Sequence, residues 1–138
     1  SRAWVACLKA RIGDAEGFYE HFTALIKDFA TSTLLDLHPP RVFQIDGNLG
    51  AVAAGIEALV GFYDGKAHLL PALPKEWAEK GSLKGVRLPG GHLLPLAWEN
   101  GELTELSVTV GFGETVSLAF NGDVCTLHGR VGETVKLI

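Results

Sequence analysis

The sequence lacks a Cys-x-x-Cys spacing, a long apolar run and a cluster of basic residues. Its two cysteines, Cys7 and Cys125, lie in a helix-type and a strand-type pattern, so we expect two buried or idle thiols and no zinc site. No apolar run approaches the roughly 20 residues of a membrane span. The formal net charge is −4 and the basic residues are scattered, which argues against a nucleic-acid surface. The sequence therefore predicts no metal, no cofactor, no nucleic acid and no membrane partner.

Methionine is absent as well, and the first residues already belong to a helical pattern without a signal peptide. This start predicts a piece of a larger protein. The 138 residues are 47% hydrophobic, which is enough for a packed core in one domain or two small ones.

Helical periodicity fills the first half of the chain. An opening helix is predicted to end at Gly13, and Asp14 is placed to cap a second helix that runs to about Phe29. A third, slim helix is predicted from Gly50 to Asp64. The predicted core faces are Trp4, Val5, Leu8 and Ile12 in the first helix, Phe18, Phe22, Leu25, Ile26 and Phe29 in the second, and Val52, Ile56, Leu59, Val60 and Tyr63 in the third. We interpret His21 and Glu57 as surface or boundary residues.

The second half has the alternation of β-strands and frequent turn residues. Asn100-Gly101 and Asn121-Gly122 separate apolar alternations, so at least two hairpins are predicted. The predicted fold class is α+β, with helices in residues 1–66 and a small antiparallel β-sandwich in residues 67–138. Trp77 and Trp98 would favour glycan binding if they were exposed and coplanar, and a structural role if they were buried.

The stretch from His38 to Gly50 separates two helical patterns and concentrates polar and turn-forming residues. Polar side chains on a constrained loop between rigid elements are a common way to build a site. An equally weighted interpretation is that Asp46 or Asn48 is simply the N-cap of the next helix.

This stretch, His38-Pro39-Pro40 followed by the segment from Phe43 to Gly50, resembles a signature of glycoside hydrolase family 95, a family of inverting α-L-fucosidases acting on terminal α-1,2-linked fucose. Further segments agree in collinear order across nearly the whole chain. They are Ser1-Arg2-Ala3-Trp4, the run His68 to Pro74, Gly85-Val86-Arg87 with Gly90-Gly91, and Trp98-Glu99-Asn100-Gly101.

The resemblance implies that residues 1–66 are the last helices of an (α/α) six-hairpin barrel and that a β-sandwich follows. It implies that Asp46 is the catalytic carboxylate that polarises water-holding asparagines, that His38 lines the sugar pocket, and that Gln44 and Asn48 fix the loop or contact the sugar. An anion at residue 46 would be stabilised by the N-terminus of the helix predicted near Gly50. A secreted or periplasmic location is suspected from the resemblance alone.

The general acid Glu and the asparagines of the family lie upstream of this chain, so we expect the chain alone to be inactive. Its partners would be a fucosylated oligosaccharide and either the remainder of the barrel or a second copy bound through the helices. The alternatives are an α-L-galactosidase of the same family or a non-catalytic β module that packs on the barrel or binds a glycan. Leu49, the inserted Arg41-Val42 and the run His92 to Pro95 depart from the family pattern, and the last predicts a disturbed sheet edge.

Overall fold

The computed structural model describes residues 2–38 and 41–138 and shows a mixed α+β fold. Ser1 and the proline pair of the central stretch lie outside the described residues. The chain forms two compact units, one from Ser1–Gly61 with Leu70–Pro74 and the other from Phe62–Leu69 with Lys75–Ile138. Along the chain, residues 62–69 belong to the second unit, residues 70–74 return to the first, and the second unit resumes at residue 75. The single domain boundary after residue 66 stays a prediction.

The first unit contains three α-helices. They are α1 (Arg2–Arg11), α2 (Ala15–Ala24), which continues into a π-helical turn (Leu25–Phe29), and α3 (Ile45–Leu59). Asp14 caps α2 as predicted, because its Oδ1 accepts the Gly17 N–H at 2.8 Å. Within residues 2–38 and 41–138, no helix is both long and apolar enough to cross a lipid bilayer.

The buried face of α1 is made of small residues, Ala3, Ala6 and Ala10, and this corrects the predicted face. Trp4, at 65%, and Leu8 are exposed large side chains of the helix, and so is Ile12, which follows its last residue. The reason is a close approach to α3, where a Cβ on Gly50 would lie only 2.8 Å from the Ala3 Cβ. Large side chains cannot fit between helices at that separation, so the alanines are buried instead.

Helix α3 also differs from its prediction. It begins at Ile45, five residues before Gly50, and ends at Leu59, because Val60–Tyr63 forms strand β3. Asp64-Gly65 is therefore a hairpin turn with positive φ at both residues, not a helix stop. The buried positions of α3 are Gly47, Ala54 and Ala58, whereas Ile45, Leu49, Val52 and Ile56 are exposed.

Glu57 has a specific partner instead of lying free at the surface. Its carboxylate accepts two hydrogen bonds from Arg11, at 2.8 and 3.1 Å, and so joins α3 to α1. After α3, the Leu70–Pro74 segment returns to the helix, where the N–H groups of Leu70 and Ala72 donate to the carbonyls of Leu59 and Ala58. These bonds satisfy acceptors that a helix C-terminus otherwise leaves unpaired.

The remaining strands form two four-stranded sheets and a two-stranded ribbon. The strands of the two larger sheets are β3, already described, with β4 (Lys66–Leu69), β5 (Lys80–Leu88), β6 (His92–Glu99), β7 (Glu102–Thr109), β8 (Thr115–Phe120), β9 (Asp123–His128) and β10 (Thr134–Lys136). One sheet has the order β10-β7-β6-β5 and the other has the order β3-β4-β8-β9. Both predicted Asn-Gly hairpins are present, but β4 pairs with β8 in parallel, so the predicted all-antiparallel arrangement is wrong.

Strand β6 is an inner strand, which corrects the expected disturbed edge at residues 92–95. His92 is 1% exposed, and its Nδ1 accepts the Gly111 N–H at 3.0 Å. Pro95 is tolerated because the register of the neighbouring β5 shifts between Leu83 and Val86, so no ladder bond is required opposite it.

Trp98 of the second unit has a structural role and is not part of an exposed platform with the half-buried Trp77. Trp98 is 4% exposed and donates its Nε1–H to the Trp77 carbonyl at 2.8 Å. Its ring covers Gly81, its register partner across β5 and β6, where a Cβ would overlap the indole. Because Trp98 is buried, the two tryptophans do not form the exposed aromatic surface that the glycan-binding alternative required.

Candidate functional site

The central stretch folds as a small hairpin that leads directly into α3. Strand β1 (Leu37–His38) pairs with β2 (Val42–Phe43), and the Arg41 N–H donates to the His38 carbonyl at 2.7 Å. Just before the hairpin, Asp36 bridges to Ala30 and its carbonyl accepts the Gln44 N–H at 3.0 Å. A backbone hydrogen bond therefore joins Gln44, just after the hairpin, to Asp36, just before it.

Asp46 is the second residue of α3, and its side chain is exposed. Gln44 occupies the N-cap position, without a capping hydrogen bond from its side chain, so the interpretation of Asp46 or Asn48 as the N-cap is wrong. A carboxylate in the first turn of a helix lies near unpaired N–H groups, which stabilise negative charge.

Asn48 uses both ends of its carboxamide on the backbone of the preceding loop. Its Oδ1 accepts the Asp36 N–H at 2.8 Å, and its Nδ2 donates to the Leu34 carbonyl. This geometry holds residues 34–36 against the first turns of α3. Both the oxygen and the nitrogen of the carboxamide thus contribute to holding this loop.

His38 and Gln44 line one pocket of about 460 Å³ in the helical unit. The pocket does not include Asp46 or Asn48 in its lining. The residues around it are Arg2, Val5, His21, Leu25, Phe29, Asp36, His38 and Gln44. The structure thus brings two of the four predicted site residues together and adds Arg2, His21 and Asp36, to which the sequence analysis gave no role in a site.

Asp36 is buried, at 8% exposure, and lies between this pocket and a second, mainly apolar one of about 400 Å³. Burial is the main cause that raises the pKa of its carboxyl, and the nearby charge of Asp46 raises it further, while His38 opposes the shift. The available sequence signal is a single acid among apolar residues in Leu34-Leu35-Asp36-Leu37. An isolated charge in such a run indicates a polar task in the folded state.

Arg2 contacts two other residues of the pocket. Its guanidinium lies 5.4 Å from the centre of the Phe29 ring, and its Nη1 is 3.1 Å from the His21 Nδ1. His21 is half-buried on α2, consistent with the boundary position expected for it. Among the described residues, no group of three or more His, Cys, Asp or Glu side chains is arranged to hold a metal ion.

The chain matches known families over both of its halves. Residues 1–59 match the glycosyl hydrolase family 95 catalytic domain, and residues 63–136 match the glycoside hydrolase family 95 C-terminal domain. Alpha-L-fucosidase 2 of Arabidopsis thaliana is 33% identical over 119 residues, which are 78% of this chain and 14% of that protein.

Two fungal proteins are also similar. Probable alpha-fucosidase A of Aspergillus oryzae is 27% identical over 132 residues, which are 85% of this chain and 18% of that protein. Probable alpha-fucosidase A of Aspergillus niger is 29% identical over 114 residues, or 72% of this chain and 14% of that protein. The chain thus spans less than a fifth of the length of these relatives, and it belongs to glycoside hydrolase family 95.

Proposed function

We propose that this chain is the C-terminal part of an inverting α-1,2-L-fucosidase and that it carries one catalytic-site segment, the start of α3. The observation that carries the proposal is the position of Asp46. It lies in the part of the chain that matches a family 95 catalytic domain, exposed on the first turn of a helix. The similar proteins are named as fucosidases, which supports L-fucose as the sugar.

The chemistry proposed for Asp46 requires an ionised carboxylate that other parts of the protein can reach. An inverting glycosidase needs a water activated on the face of the sugar opposite the proton donor. An amide oxygen is a weak base, so a carboxylate that accepts a hydrogen bond from that amide increases the negative charge on its oxygen. The position of Asp46 at the N-terminus of α3 places this carboxylate near unpaired backbone N–H groups.

His38 and Gln44 are proposed to contact the sugar, since both line the pocket beside the start of α3. Asn48 is proposed to fix the loop, because its Oδ1 and Nδ2 are both bonded to backbone groups of residues 34–36. Of the two roles that the resemblance left open for these residues, we thus propose sugar contact for Gln44 and fixing of the loop for Asn48.

The exposed apolar faces of α1 and α3 are proposed to be covered by further helices of an (α/α) barrel. Seven large side chains make up these faces: Trp4, Leu8, Ile12, Ile45, Leu49, Val52 and Ile56. Each helix thus has small residues on one side and large apolar residues on another, which is the pattern of a helix packed by neighbours on more than one side. The chain spans less than a fifth of its relatives, so such neighbours would lie in the remainder of a longer protein.

The test is Asp46→Asn in the complete polypeptide that contains this chain, assayed for release of L-fucose from an oligosaccharide with a terminal α-1,2-linked fucose. We expect turnover to fall by two or more orders of magnitude with little change in melting temperature, because the side chain is exposed. The matched control is Asp28→Asn, another exposed acid of the helical unit. Nearly full activity of Asp46→Asn would reject the proposed role, and an initial product with retained anomeric configuration would reject the inverting mechanism.

A further inference from the structure

The pocket that holds His38 and Gln44 has further polar side chains on its walls. Arg2 comes from α1, His21 from α2 and Asp36 from the loop before β1. Side chains from separate elements converge on one cavity of about 460 Å³, which is within the range of small-molecule sites.

The hydrogen bond between Arg2 and His21 fixes the tautomer of the imidazole. A guanidinium has only donors, so the Arg2 Nη1 must donate and the His21 Nδ1 must accept, at 3.1 Å. A neutral His21 therefore carries its proton on Nε2. Among the described residues, no other hydrogen bond engages this ring, so the Nε2–H remains as a donor for a ligand.

Arg2 is itself held in place by a second contact. Its guanidinium stacks 5.4 Å from the centre of the Phe29 ring, an arrangement in which the ring quadrupole attracts the cation. Phe29 belongs to the π-helical turn that follows α2, so the contact and the His21 hydrogen bond join α1 to the end of the second helix. Arg2 is thus placed to orient His21.

Two further polar residues of the pocket can supply hydrogen-bond acceptors. Asp36 and Gln44, whose side chains carry oxygen atoms able to accept hydrogen bonds, line the same pocket, and Val5 and Leu25 add apolar surface. A cavity with a fixed donor, acceptors and an apolar wall fits a neutral, hydroxyl-rich ring that has both polar and apolar sides. A monosaccharide unit has this chemistry.

We infer that His21 is a sugar-binding residue, that its Nε2–H donates to a hydroxyl of the fucosyl unit, and that Arg2 is a positioning residue acting through His21. The inference rests on the proposed function, which it deepens by naming a further contact in the same site. It concerns residues on α1 and α2, whereas the sequence resemblance assigned substrate contacts only to the stretch that begins at His38.

The experiment is a double-mutant cycle on Arg2 and His21 in the complete polypeptide that contains this chain. KM and kcat are measured on an α-1,2-fucosylated oligosaccharide, and affinity is measured for free L-fucose. We expect His21→Ala to raise KM and the dissociation constant of L-fucose about tenfold, which is the scale of one hydrogen bond that orders a polar ligand. His21→Gln should stay within about threefold of the wild type, since its amide N–H can take the place of the Nε2–H.

Arg2→Ala should produce a similar increase in KM, and the double variant should be no worse than His21→Ala alone, because Arg2 acts through the imidazole. His128→Ala, a histidine on an exposed strand of the second unit, is the control for a general effect of removing an imidazole. If His21→Ala unfolds the protein, the inference is tested with His21→Gln and with the imidazole ¹⁵N NMR signals of the wild type. In those spectra we expect the His21 Nδ1 to be unprotonated.

An unchanged KM for His21→Ala in an active enzyme would overturn the inference and leave the proposed function in place. Independent, additive losses from Arg2→Ala and His21→Ala would overturn the positioning role of Arg2. A wild-type protein that does not release L-fucose would reject the proposed function, and the inference with it.

Discussion

The carboxyl group of Asp36 lies against Gly47, in the space that any side chain at residue 47 would occupy. A Cβ built on Gly47 would overlap both the Oδ2 and the Cγ of Asp36 and would lie 3.0 Å from its Cβ. Residue 47 follows Asp46 directly, so this contact determines how closely the buried acid approaches the start of α3. It explains why a glycine stands within the first turn of a helix, where glycine is otherwise unfavourable.

Gly47→Ala is expected to destabilise the helical unit by about 1–3 kcal/mol, because the new methyl group has to displace a buried carboxyl. Chemical denaturation measures the change. The matched control is Gly55→Ala on the same helix, where a Cβ would meet only the Phe22 ring at 3.6 Å. That substitution should be neutral or stabilising by up to about 1 kcal/mol.

The cause of the Gly47→Ala effect can be isolated by repeating it with Asp36→Ala. This change removes the two closest contacts of the new methyl group, so most of the cost should disappear in the double variant. Equal destabilisation by Gly47→Ala with and without the Asp36 carboxyl would contradict the explanation.

Asn48→Asp is expected to cost about 1–3 kcal/mol, although the substitution preserves size. The carboxylate retains the acceptor for the Asp36 N–H but places an oxygen where the Nδ2 now donates to the Leu34 carbonyl. Thermal or urea unfolding of the purified protein checks the value. Asn100→Asp, at a hairpin turn in the second unit with φ of 51°, is the control and should change stability little. Similar losses in both variants would argue against a specific role for the Asn48 amide.

Asp36 and Asp14 should change the free energy of unfolding in opposite directions as pH rises. Burial, followed by the charge of Asp46, raises the pKa of Asp36, so the folded state binds its proton more tightly than the unfolded state does. The stability contribution of Asp36 therefore decreases as pH rises from the ordinary aspartate pKa, about 4, through the raised value. Above that window, ionised Asp36 opposes folding.

For Asp14, the Lys9 hydrogen bond is the main cause that lowers the pKa, and the Gly17 N–H adds to it. Its stabilising contribution is present above the ordinary aspartate pKa and is lost as pH falls through the lowered value. Urea unfolding between pH 3 and 7 should show Asp36→Asn gaining stability relative to wild type as pH rises, and Asp14→Asn losing it. Parallel curves for the two variants would refute these assignments.

The isolated chain is expected to associate with itself and to elute larger than a 14.7 kDa monomer, because its α1 and α3 faces expose large apolar side chains. Leu49→Lys, in the middle of the α3 face, should shift the population towards the monomer. Val131→Lys, at a similarly exposed apolar residue of the second unit, should leave the distribution unchanged. Sedimentation velocity separates the species. A wild-type monomer with a cooperative melt would show that these faces need no partner.

Local chemistry made much of the fold predictable. The Asp14 cap and the turns at Asn100-Gly101 and Asn121-Gly122 depend on side chains and φ preferences within a few residues, and all three are present. The family, too, was evident from the motif between His38 and Gly50. The start of α3 was mispredicted because Asn48, a common N-cap residue, instead uses its amide on the loop at residues 34–36.

The amino-acid pattern was thus sufficient for three helices followed by a strand-rich region, for the turns at the two Asn-Gly pairs and for the family, because these follow from short-range preferences and from a continuous motif. Packing between the helices, in contrast, fixes which helix faces are buried, since the approach of Ala3 to Gly50 excludes Trp4, Leu8 and Ile12 from that contact. It also decided that Arg2, His21 and Asp36 share a pocket with His38 and Gln44. Arg2 and His21 are distant along the chain from residues 36–44, and packing between the helices and the loop brings them together. Local sequence patterns do not contain that information.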